Sequence, residues 1–159
     1  MATPTALQSS ARALLSDEGF DRVAHLVQRD NDGIDEALAT RIVNEALKFV
    51  AAAGQATGRH LRPSRVVDIG WHALILHTAM YRELCRHTGR FVDHRPEGPD
   101  TLRRAADTLD RTMEAIREAG YEPDAYLWGA LADTEMHGGD CMHSECTEGG
   151  SACAAPPAT

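Results

Sequence analysis

Asp68 and His72 stand four residues apart within PSRVVDIGWHALILHTAMYRELCRHTGRFVDHRP, the stretch from Pro63 to Pro96. On a helix that spacing is a turn of about 40°, so a carboxylate and an imidazole share one face and can bond each other or share a ligand. His77 lies about 140° from His72 and about 180° from Asp68, away from that face. Past Gly89, the run RFVDHRP can fold Asp93 or His94 back beside the helix. Asp68, His72 and His94 are therefore candidate metal ligands, since two ligands one helical turn apart plus one from a loop leave coordination positions open. The alternative is architectural: Asp68 and His72 as a buried pair, with Arg90 or Arg95 neutralising the acid. Cys85 falls on the apolar face of the same stretch, where a thiol stays protonated and inert, so nucleophilic chemistry is the weakest reading.

A second set of ligating side chains follows Met136, in HGGDCMHSECTEGGSACAAPPAT. Cys141, Cys146 and Cys153, with His137 and His143, are soft donors suited to Zn(II) or Cu(I). Their spacings are wider than the CxxC knuckles of structural zinc sites. This segment has too few large apolar groups to pack, so residues 136–159 are expected to be a flexible Cys/His-rich tail behind a helical domain at 1–135.

Positioning the first set requires a helix. Ser64 is a natural N-cap and Gly89 a natural stop, which predicts one helix from Arg65 to Thr88. Val67, Trp71, Leu74, Thr78, Tyr81 and Cys85 form its stripe, and Ile69, Leu76 and Met80 make it apolar nearly all round. Such a helix is expected to be the buried centre of the fold. Around it the periodicity predicts helices at Thr5–Leu15, Asp17–Arg29, Ile34–Ala53 and Thr101–Ala119, and a last short one in YEPDAYLWGALAD. Convincing period-2 runs and internal repeats are missing from the sequence. The expected fold is all-α, an irregular bundle of five or six helices around a buried central helix, with a disordered Gly/Cys-rich C-terminal tail.

The order of residues in VVDIGWHALILHTAMYRELCRHTGRFVDHRP resembles the core motif of the plant and bacterial glycine-rich domain-containing protein-like family. That pattern runs from a VDxxWH segment through an ILHT-like stretch, a Tyr, a Cys and a GRF or GRY triplet to HHxP. The resemblance covers Val67 to Pro96 and implies a helical domain with a polar cluster. Leu74 stands where plant members often carry a second histidine, and Asp93 where the first histidine of HHxP stands. Asp93 can still serve a metal; Leu74 cannot.

The chain has 159 residues, 43% of them apolar, enough for one domain with a sizeable core. Its 16 Lys and Arg against 24 Asp and Glu give a formal charge of −8, which argues against nucleic-acid and anionic-membrane partners. No apolar run approaches a membrane span and the N-terminal stretch lacks a secretory pattern, so a cytoplasmic location is expected. The sequence reading is a small metal-binding protein using the Asp/His cluster, the Cys-rich tail or both, with zinc, iron or copper as its metal. One alternative is a metal-dependent oxidase or hydrolase acting on a small or peptide substrate. Another is a recognition domain whose Cys-rich tail is modified by other enzymes.

Overall fold

The computed structural model describes residues 6–94 and 106–129. Among them are six α-helices: α1 Asp17–Asp30, α2 Glu36–Gln55, α3 Arg65–Leu76, α4 Thr78–Thr88, α5 Ala106–Glu118 and α6 Ala125–Trp128. The first three start where short polar side chains satisfy free amides. Ser16 accepts from Gly19 N, Asp35 from Leu38 N and Ser64 from Val67 N. The all-α bundle expected from periodicity is thus the observed fold.

The enclosed element is α2. It packs against α1, α3, α4 and α5, and its buried residues run almost without a gap from Ile42 to Gly54. Glu45 and Lys48 are included in that run. The helix α3 crosses α2 at Gly70, where a Cβ would sit 2.9 Å from the Ile42 carbonyl oxygen. At the far end, Gly89 has φ +150° and lies against Gly54, and Arg90 N donates to Gly54 O. Two small residues thus bring α3 and the end of α4 close against α2.

The continuous helix expected from Arg65 to Thr88 is in fact two. His77 has φ −89° and ψ 62°, and its backbone N–H donates to Leu74 O, three residues back, at 3.1 Å. Its ring Nδ1 donates to Ala73 O at 2.9 Å, occupying the carbonyl that a regular helix would offer to the His77 amide. The break explains the one member of the expected stripe that is not buried. Val67, Trp71, Leu74, Tyr81 and Cys85 are all buried, whereas Thr78, at the bend, is exposed. Leu76, expected to be covered, is 69% exposed.

The helix expected over Thr5–Leu15 is reduced to a single 3-10 turn, Arg12–Leu14. Upstream the chain is extended instead: Gln8 N donates to Gly120 O and Glu122 N to Gln8 O, a parallel bridge to Tyr121. Backbone partners supplied by the α5–α6 connection override a weak local helical preference here. The start of the helix expected at Thr101, and the Cys/His-rich tail with Cys141, Cys146 and Cys153, lie outside the described residues.

Candidate metal centre

The helix α3 presents Asp68 and His72, and the chain leaving α4 returns His94 to the same place. His94 Nε2 lies 3.3 Å from Asp68 Oδ1, and His72 Nδ1 lies 3.3 Å from Asp68 Oδ2. His72 Nδ1 also lies 2.9 Å from the Asp68 carbonyl oxygen. These oxygens can only accept, so both ring nitrogens donate, and in its neutral form each imidazole keeps a lone pair on its other nitrogen. The two rings meet edge to face, with centroids 4.3 Å apart. One ligand atom from each of Asp68, His72 and His94 falls within 4.8 Å of the others, all three side chains being partly buried.

Charge sharpens the arrangement. Burial works to raise the Asp68 pKa, but the hydrogen bonds from His72 and His94 outweigh it and hold the carboxyl below its ordinary range. The Asp68 carboxylate in turn raises His72 above the ordinary imidazole range, against the opposing effect of burial. Arg90 takes no part: its guanidinium donates to Ala56 O at 2.7 Å. Arg95, the other cation considered for neutralising Asp68, lies outside the described residues. Asp93 is exposed and outside the group. His77 is spent on Ala73, and Cys85 is a buried free thiol at 1% exposure, inaccessible as a nucleophile.

The UCP032817-like family model matches residues 13–118, well over half of the chain and all of this centre. The chain belongs to the UCP032817-like family. That match overturns the resemblance to the glycine-rich domain-containing protein-like family, which rested on a short run of residue types within the same region. No curated protein and no solved structure matches the chain.

In this UCP032817-like chain the support around His94 is more elaborate than residue spacing announces. Trp71 lies under the His94 ring at a centroid distance of 4.6 Å, and Phe49 of α2 meets Trp71 edge-on at 4.9 Å. Trp71 Nε1 donates to Tyr81 Oη at 2.9 Å, and Tyr81 Oη donates to Val92 O at 2.6 Å. The Val92 carbonyl is two residues from His94, so this relay ties the returning chain to both α3 and α4. Burial pushes the Tyr81 phenol far up, so it stays protonated and keeps donating. Without the bend at His77, Trp71 and Tyr81 would be about 15 Å apart along one helix axis. Sequence reasoning placed both on one apolar stripe and missed the relay. The signal available was the co-occurrence of two aromatic groups with polar tips on a buried face, since such tips need partners.

A second buried polar group was also missed. Glu45 and Lys48 on α2 are 1% and 2% exposed and joined at 2.5 Å. Lys48 Nζ also donates to Glu122 O at 2.6 Å, and Trp128 Nε1 to Glu45 Oε2 at 2.8 Å. Both bonds fasten the α5–α6 end of the chain to α2.

Proposed function

We propose that this chain is a metal-binding protein whose centre is Asp68, His72 and His94, taking a borderline divalent ion such as Zn(II) or Fe(II). The observation that carries this reading is the convergence of the three ligand atoms within 4.8 Å from two separate parts of the chain. Two imidazoles and a carboxylate are a donor set suited to both ions. The ligands are also supported as ligands usually are, with an imidazole N–H held by a backbone carbonyl and a packed aromatic wall behind. Three protein ligands leave further coordination positions for water or a bound molecule.

One observation favours a catalytic role for the same centre. The side chains of His72 and Asp68 remain 36% and 29% exposed, so a metal there would face solvent rather than be enclosed. A metal-activated water at such an open position is the means by which a hydrolase works, and an open Fe(II) position the means by which an oxidase works. Titration calorimetry with Zn(II) and with Fe(II) under anaerobic conditions tests the binding reading. One equivalent bound by the wild type and at least about 10-fold weaker binding by His94→Ala is the expected result. Equal affinity in both proteins would remove the core centre.

A further inference from the structure

The buried Lys48 is one hydrogen bond short. Its ammonium carries three N–H groups, of which one donates to Glu45 Oε1 at 2.5 Å and one to Glu122 O at 2.6 Å. No described residue accepts the third, and Lys48, at 2% exposure, is largely withdrawn from bulk water. A buried donor without an acceptor is costly, so it points to a partner from outside the chain. Lys48 lines a cleft of about 340 Å³ between α2, Ser9 and the segment from Glu122 to Asp124, within the size range of small-molecule sites. We propose that this cleft binds a free α-amino acid, its carboxylate on Lys48, Arg41 and Asn44 and its ammonium on Glu122. None of the lining residues belongs to the Asp68 centre, so the inference is independent of the metal-binding reading.

The lining has donors to spare on one side. Arg41, Asn44 and Lys48 recur at three and seven residues along α2 and so share a face. Arg41 directs Nε and Nη2 at Asp124 Oδ2, which leaves Nη1 without a described partner. Asn44 gives one amide N–H to Ser9 O at 3.3 Å and keeps a second. Unmatched N–H groups on two cations and an amide suit a carboxylate, which accepts several charge-assisted bonds at once.

The charge of the cleft decides what else the molecule carries. Two cations, Arg41 and Lys48, face three carboxylates, those of Glu45, Glu122 and Asp124. A phosphate or simple organic anion would add to that negative excess, so the occupant brings a positive group of its own. Glu45 is held by Lys48 and the Trp128 indole, and Asp124 by Arg41 and Tyr126 N. The Glu122 carboxylate meets only Arg117, at 3.7 Å, and is the one open to an ammonium. Because the Glu122 carbonyl rests on Lys48 Nζ, donor and acceptor stand side by side, as the two charges of an α-amino acid do. Pro123 and the methylene stem of Arg41 supply an apolar wall for its side chain.

Saturation-transfer difference NMR of the full-length protein, with each standard α-amino acid in turn at millimolar concentration, tests this. At least one is expected to receive saturation. Its affinity should fall by about 10-fold or more in Arg41→Met and in Glu122→Gln, each of which removes one charged hydrogen bond. Both side chains are about half exposed, so these variants fold. The N-acetyl derivative of the same amino acid, which lacks the ammonium, should weaken to a similar degree. Saturation of no amino acid would overturn the proposal, as would unchanged affinity in either variant. Equally tight binding of the N-acetyl form would overturn it too, by showing that the cleft takes a carboxylate alone.

Discussion

Asp68 is the residue on which the centre turns, because both imidazoles answer to its carboxylate. Its folded pKa lies below the ordinary 3.8, so its contribution to stability is present above that value and lost as pH falls through the folded value. His72 has a folded pKa above 6.5, so its contribution is complete below 6.5 and fades as pH rises through the folded value. The metal-free protein should therefore gain most from this pair between about pH 4 and 6.5. The size is modest, about 1 kcal/mol or less, because the groups remain partly open to solvent. Metal affinity should move the opposite way and rise through neutral pH, since a ligand imidazole must give up its proton. Denaturant titrations from pH 5 to 8, with and without Zn(II), check both limbs. Parallel pH profiles with and without zinc would argue against coordination by His72.

Tyr81→Phe is a sharper change at the same scale. It leaves the Trp71 N–H and the Val92 carbonyl without their partner, a cost of about 1 to 3 kcal/mol. It should also weaken zinc binding by about 10-fold, because Val92 no longer fixes the chain that carries His94. A variant that melts lower yet binds zinc unchanged would confine Tyr81 to architecture.

Among the elements, Gly70 and Glu45 carry the most consequence. Gly70→Ala improves helix propensity by up to about 1 kcal/mol, but its Cβ meets the Ile42 carbonyl oxygen and side chain at 2.9 Å. Overpacking at a helix crossing costs about 1 to 3 kcal/mol, so net destabilisation is expected, read as a lower denaturation midpoint. Glu45→Ala strands the buried Lys48 ammonium and frees the Trp128 indole N–H, and should cost about 3 to 5 kcal/mol. Near-wild-type stability for that variant would mean that Lys48 finds another acceptor. Much of this scale was legible in the sequence: apolar periodicity located α1, α2 and the buried stripe of α3 and α4, and Ser64 and Gly89 marked their ends. Asp68 and His72 were legible by helical spacing, and His94 as a residue the loop could return. The bend at His77 was not, because a histidine bonding back to a carbonyl four residues earlier leaves no mark in hydrophobic pattern. Nor was the central place of α2. Its apolar residues repeat at helical spacing much as those of its neighbours do, and nothing in the spacing of Glu45 and Lys48 says that they bond each other and the distant Trp128 rather than water.

At the scale of the whole molecule, the bundle is a scaffold that brings two chain segments together over a wall of Phe49, Trp71 and Tyr81. No described helix is long and apolar enough to cross a membrane. Truncation after Glu135 should leave the metal-free melting temperature nearly unchanged, because the sequence beyond it carries almost no large apolar groups able to contribute to a core. The central claim is metal binding by Asp68, His72 and His94, and paired thermal melts of wild type and His72→Ala, each with and without Zn(II), test it most directly. The account predicts a wild type whose melting temperature rises with zinc, as ligand binding to the folded state requires, beside a folded mutant that zinc leaves unmoved. Melts that ignore zinc in both proteins, with the mutant several degrees lower, would contradict it and leave the cluster a structural pair.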